Sequence, residues 1–200
     1  TATSHLGDLD GKHIAIVGDI KHSRVARSNA IGFATMGARV TLVGPPTLLP
    51  PSLDGWPVEV THDLDAVIDD LDICYLLRMQ LERQKQAVVP TLREYHHEYG
   101  LTSARADRLS AEALIMHPGP MNRGVEIAGE VADRPNAVIT EQVANGVSVR
   151  MAVLFLLLGA GLEPVDESAV GGGLAVARWV RSRSPTAPWS TAPALAALTS

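Results

Sequence analysis

Residues 13 to 44 leave little freedom in the choice of fold. His13-Ile14-Ala15-Ile16-Val17-Gly18 is a short apolar run closed by glycine. Ser23 to Gly37 follows with Ala26, Ala30, Phe33 and Ala34 at the spacing of one helical face, and Arg39-Val40-Thr41-Leu42-Val43-Gly44 is a second apolar run. Strand, helix and strand in such close order form a βαβ unit, whose strands are parallel and whose crossover is almost always right-handed. The expectation is an α/β fold: a Rossmann-like, doubly wound, mostly parallel sheet with helices on both faces.

The pattern repeats. Val58-Glu59-Val60 reads as a short strand, Asp63 as the cap of a helix from Leu64 to Leu71, and Ile73 to Leu77 as a buried strand. Between the two beats, Pro45 to Pro57 carries five prolines and reads as an irregular surface connection. Thr91 and Glu94 have capping-box spacing for a helix to Tyr99. Thr102 or Ser103 can cap a helix to Leu109, and Ala113 to Met116 is the next strand. Glu126 to Val131 is expected to be helical. Thr140 caps a long helix ending at Gly159, with Val143, Val147, Met151, Leu154 and Leu158 on one face. Residues 1 to 12 read as a polar lead-in, and 163 to 200, with Gly171-Gly172-Gly173 and an Arg-Ser-Arg-Ser run, as a low-complexity flexible tail.

In an open parallel sheet, ligands bind beyond the carboxyl ends of the strands, so the segments that leave strands there are the candidate site. After the first strand, Val17 to Arg24 has Gly18 but not the three glycines of a dinucleotide fingerprint, so no nicotinamide or flavin cofactor is expected. Arg24 stands near a helix N-terminus, where a cation opposes the dipole. A bound anion would offset both, although an ordinary exposed arginine fits as well. Arg78 and Gln80 alternate beyond the strand at 73 to 77. Their fork and amide suit a carboxylate or phosphate, while a solvated loop with a surface pair involving Glu82 or Arg83 is the plainer alternative. His117-Pro118-Gly119-Pro120 ends the strand at 113 to 116 in a turn stiffened by two prolines. His117 has no partner at catalytic spacing and is assigned a structural role; Arg123 and Glu126 are expected to pair.

A net charge of −5 argues against a nucleic-acid surface, which needs a clustered basic face. The single cysteine, Cys74, lies in an apolar run and fits a reducing cytoplasm. No charged and apolar leader opens the chain, so no signal peptide is expected. The longest apolar run, Met151 to Leu158, is too short to span a bilayer, so no membrane partner is expected. The seven histidines show no metal-ligand spacing, so no metal site is expected.

Five segments together resemble one family. They are I-V-G-D-I-K-H-S-R-V-A-R-S-N at 16 to 29, R-M-Q-L-E-R at 78 to 83, Y-G-L-T at 99 to 102, M-H-P-G-P-M-N-R-G-V-E-I at 116 to 127, and I-T-E-Q-V-A-N-G-V-S-V-R-M-A-V-L at 139 to 154. In order and spacing they are similar to the aspartate-binding domain of the aspartate carbamoyltransferases, within the aspartate/ornithine carbamoyltransferase family. The resemblance implies an aspartate/ornithine-binding domain over 13 to 162. It also implies transfer of the carbamoyl group of carbamoyl phosphate to L-aspartate, an early step of pyrimidine biosynthesis. Carried over residue by residue, Arg24, Arg78 and Gln80 would hold the two carboxylates of aspartate. Main-chain carbonyls of Pro118 and Gly119 would hold the carbamoyl NH₂ group. The family implies a homo-oligomer, a trimer, and no cofactor.

An ornithine carbamoyltransferase fits less well. Pro118 stands where those enzymes carry the cysteine of H-C-L-P, and their Ser-Met-Gly segment is not found. The Ser-Thr-Arg-Thr phosphate loop of the family's carbamoyl-phosphate domain has no counterpart either. No confident catalytic residue is therefore assigned to this half, and carbamoyl phosphate implies a missing or separate domain. The alternative is a non-catalytic homologue acting as an amino-acid-binding or regulatory module.

Overall fold

The structure, a computed structural model, describes residues 1–79 and 91–159. Gln80, Glu82 and Arg83 and the tail expected from 163 lie outside the described residues. Contacts divide the chain into Thr1–Val143 and Ala144–Ser200.

Among the described residues, five strands form one parallel sheet in the order β3-β2-β1-β4-β5. They are β1 (His13–Val17), β2 (Arg39–Val43), β3 (Glu59–Thr61), β4 (Ile73–Leu76) and β5 (Leu114–Met116). β1 is buried along its whole length, as a central parallel strand covered on both faces must be. The core accordingly lies in two layers. Ile14, Ile16, Leu42, Ile73 and Tyr75 pack on one face with α2 (Arg24–Thr35); Ala15, Val17, Val43, Cys74, Leu76 and Ile115 pack on the other with Leu64, Ile68 and Leu109. Alternate residues of one strand thus feed opposite layers. Burial pushes the Cys74 thiol up to about 12, so at neutral pH it is an inert core thiol.

Several local expectations change. The lead-in contains a helix, α1 (Ala2–Leu6), and Ala2 and Leu9 belong to the core. The proline-rich connection is not wholly superficial: Pro46–Leu48 forms a 3-10 turn that buries Leu48 completely, and Lys21 N–H donates to its carbonyl (2.8 Å). Asp63 caps as expected, its carboxylate accepting from Asp65 and Ala66 N–H, but the helix is reduced to a 3-10 turn at Ile68–Asp70. The eight residues Leu64 to Leu71 allow barely two helical turns, too short to favour a helix on their own, and Leu64 and Ile68 pack into the core without one.

Thr91 and Thr102 cap α3 (Leu92–Tyr99) and α4 (Ser103–Ala106) through their hydroxyls. The helix expected at 126 to 131 forms one turn later, as α5 (Gly129–Ala132), because Glu126 is used elsewhere. The long helix is α6 (Ile139–Gly159), which begins one residue before Thr140 and so takes the expected cap into its first turn. It exposes Val147, Met151, Leu154 and Leu158 instead of burying them, together with Val149, Phe155 and Leu157. Over Ile139–Leu158 it is long and apolar enough to cross a membrane by length and composition alone, which the run Met151 to Leu158 is not. Glu141, Gln142, Asn145, Ser148 and Arg150 interrupt that stretch.

Candidate functional site

β1, β4 and β5 are neighbours and point the same way, so the segments leaving them converge on one rim of the sheet. β1 joins β2 on one side and β4 on the other, which makes the gap beyond β1 and β4 the point where strand order reverses. Three of the sequence-predicted groups leave the sheet at this rim: Gly18 to Arg24 after β1, Arg78 after β4 and His117 to Pro120 after β5.

The first segment turns sharply. Gly18 N–H donates to Val43 O (2.9 Å), holding it between β1 and β2, and its φ is +124°. A Cβ there would stand 2.9 Å from the Tyr95 hydroxyl and 3.3 Å from Leu77 Cβ, so both backbone and space require glycine. Asp19, 1% exposed, accepts from His22 N–H (3.2 Å) and from His22 Nδ1 (2.8 Å). Ser23 then caps α2 by accepting from Ala26 N–H (3.1 Å), and Arg24 follows as the first helical residue, exposed to solvent. Its guanidinium is therefore presented at a helix N-terminus beyond β1.

Leu77 N–H donates to Val17 O (2.8 Å), extending the pairing of β4 by one residue and placing half-buried Arg78 immediately past it. Met79 is fully buried, and its carbonyl accepts from Asn122 Nδ2 (3.3 Å). Gln80, the other member of the expected pair, lies outside the described residues.

The third segment is the most tightly bound. His117 is completely buried. Its N–H donates to Gln142 Oε1 (3.0 Å), while Gln142 Nε2 donates to the Tyr75 hydroxyl (2.7 Å). Gly119 N–H donates to His117 Nδ1 (2.9 Å), and His117 Nε2 lies 3.2 Å from Glu126 Oε1. Gly119 has φ +63° and packs with Val143, whose Cγ2 would be 3.1 Å from an added Cβ. Pro118 and Gly119 are half-buried and Pro120 is exposed, so the turn is reachable from solvent.

Electrostatics behind the rim are dominated by acids. Tyr95 is buried, and burial first, then the charges of Glu126 and Asp19, push its phenol well above the usual range. It stays protonated at any ordinary pH. Arg123 does not pair with Glu126: it binds Asp133 (2.7 Å) and the Gly129 carbonyl at the surface. Glu126 is instead the buried centre of the turn. Asp19, Tyr95, Asn122, Glu126 and Gln142 carry no spacing that marks them. Only Asp19 and Asn122 lie within six residues of a strand end; Tyr95, Glu126 and Gln142 are brought to the rim by tertiary packing.

A model of the aspartate/ornithine carbamoyltransferase Asp/Orn binding domain matches residues 10–157. The chain belongs to the aspartate/ornithine carbamoyltransferase family. The aspartate carbamoyltransferase catalytic subunit of Acidothermus cellulolyticus is 56% identical over 181 residues, covering 86% of this chain and 56% of that protein. That of Parafrankia sp. is 58% identical over 159 residues, covering 80% and 52%. The chain thus spans about half the length of these relatives. Among solved structures, aspartate transcarbamoylase from Trypanosoma cruzi in complex with aspartate and phosphate superposes with a TM-score of 0.60 at 28% identity, over 76% of this chain and 49% of that one. Ornithine carbamoyltransferase from Gloeobacter violaceus, at 24% identity and TM-score 0.64 over 76% of this chain and 53% of that one, shares the carbamoyltransferase fold.

Proposed function

We propose that this chain is the aspartate-binding half, residues 13 to 162, of an aspartate carbamoyltransferase, which forms N-carbamoyl-L-aspartate and phosphate from carbamoyl phosphate and L-aspartate. The observation that carries this is the convergence of Arg24, Arg78 and the His117–Pro120 turn beyond three adjacent parallel strands. Two cations on one rim suit a dicarboxylate, since each guanidinium offers a planar fork to a carboxylate. Arg24, Arg78 and Gln80 would hold aspartate, and main-chain carbonyls of Pro118 and Gly119 would hold the carbamoyl NH₂ group. The Trypanosoma cruzi relative, solved with aspartate and phosphate, supports that choice of ligand.

The contribution of such a half is orientation: the amine and the carbamoyl carbon are held in line for attack. Carbamoyl phosphate itself, and charge stabilisation at the developing oxyanion, would be supplied by a phosphate loop on a separate domain. Assembly as a trimer and a cytoplasmic location belong to the same reading, the latter supported by the lone reduced Cys74.

Calorimetry on the full chain tests the site. Succinate and L-aspartate should each bind, and Arg78→Ala should abolish the heat; binding of both ligands unchanged in Arg78→Ala would sink the assignment. The alternative of a non-catalytic amino-acid-binding module predicts the same binding, with no turnover when a carbamoyl-phosphate domain is supplied.

A further inference from the structure

Glu126 is 1% exposed, and its Oε1 is the meeting point of the turn. It faces His117 Nε2 at 3.2 Å and accepts the backbone N–H of Asn122. The direction of the first contact follows from the other side of the ring. Gly119 N–H can only donate, so His117 Nδ1, 2.9 Å away, must accept and carries no proton. The single ring proton therefore sits on Nε2 and is donated to Glu126. One carboxylate oxygen thereby selects the imidazole tautomer, and the tautomer in turn makes Nδ1 an acceptor for Gly119.

That acceptor has a consequence at the rim. Gly119 N–H and the Pro118 carbonyl belong to one trans peptide plane, in which the two point in opposite directions. Fixing the N–H on His117 therefore fixes where the Pro118 carbonyl points. Asn122, held by the same oxygen, reaches across to the Met79 carbonyl, next to Arg78. A carboxylate is costly to bury, and an apolar side chain would fill the same space; only an acceptor sets the tautomer.

We propose that Glu126 is a positioning residue that aims the Pro118 carbonyl at the carbamoyl group by holding His117 as its Nε2–H tautomer. This rests on the assignment of the turn as the carbamoyl wall of the site. Glu126 touches no substrate and acts through His117 and the Pro118–Gly119 peptide plane.

The test uses the full 200-residue chain and its Glu126→Ala, Glu126→Asp and Glu126→Gln variants. Each is titrated calorimetrically with N-carbamoyl-L-aspartate and with succinate, which has both carboxylates and no carbamoyl group. Imidazole ¹⁵N shifts of His117 report the tautomer. Alanine removes the acceptor, aspartate withdraws it by one methylene, and glutamine keeps an oxygen in place.

The first two variants should weaken N-carbamoyl-L-aspartate about tenfold, the loss of one well-aligned hydrogen bond, and leave succinate within about twofold. Glutamine should restore the carbamoyl ligand. Equal losses for both ligands, or no loss for either, would overturn the proposal. Should the parent chain bind neither ligand, the assignment of the site fails, and the tautomer then decides the role of Glu126. A His117 that keeps its Nε2 proton, with an unmoved Gly119 amide, in the alanine and aspartate variants would overturn it; loss of the single tautomer would support it. If Glu126→Ala does not fold, Glu126→Asp decides both arms.

Discussion

At the scale of single residues, the rim of the sheet is specified by side chains that are missing as much as by those present. Gly18 is the clearest case, since φ +124° and a Cβ only 2.9 Å from the Tyr95 hydroxyl exclude any other residue without displacement. Gly18→Ala should therefore lower the unfolding free energy by about 1–3 kcal/mol, measured by urea titration, and adding Tyr95→Phe should recover only part, because the backbone strain remains. An alanine variant as stable as the parent would contradict the geometry. Gly18 and the His-Pro-Gly-Pro turn could be seen in the sequence because glycine and proline act on their own backbone. Glu126 could not. Its sequence neighbour Arg123 offered an obvious partner at helical spacing, but the turn carries that guanidinium outward to Asp133 and the carboxylate inward to His117. Burial of a charged group is a tertiary fact, decided by where Met79, Asn122 and His117 meet.

Among secondary-structure elements, the strands were legible because a central parallel strand is buried on both faces and so reads as an unbroken apolar run. The elements that were misjudged are those whose fate depends on a distant partner. The stretch after Asp63 has a cap and apolar residues, yet it is too short for a stable helix, and its carboxylates are tied down by Arg105 of α4 and by Arg108 just beyond it. There Arg105 donates to both Asp65 oxygens (3.2 and 2.6 Å) and to the His97 and Gly100 carbonyls, and Arg108 bridges Asp65 and Asp69. The Arg105 hydrogen bonds, working against partial burial, hold the Asp65 carboxyl below the ordinary value near 3.8.

A carboxylate depressed in the folded state contributes stability that is present above its unfolded pKa and is lost as pH falls through the folded one. Asp65→Asn removes that titration, so unfolding profiles between pH 5 and pH 2 should show the parent losing its advantage over the variant as pH drops below about 3.8. Parallel curves for the two proteins would show that the pair contributes nothing. The carboxylate is partly solvated, so the advantage at neutral pH should be modest.

For the molecule as a whole, the proposed function makes the chain one side of a two-sided reaction. No Ser-Thr-Arg-Thr segment occurs in these 200 residues, and the chain spans about half of each relative. Formation of carbamoyl-aspartate should therefore be undetectable with the purified chain and appear on adding a carbamoyl-phosphate domain from a related enzyme. Robust turnover by the chain alone would mean that the division of labour is wrong. The strand order carries one more consequence, for how the molecule comes into being. No two neighbours in β3-β2-β1-β4-β5 are joined by a hairpin. Residues 13 to 61 can close β3-β2-β1 early, but the rim waits for β4 and β5, contributed some sixty and a hundred residues after β1, and such distant pairings form late. A ligand bridging Arg24, Arg78 and Pro118 would therefore grip strands from both ends of the folding order, slowing escape from the native state while doing nothing to hasten arrival.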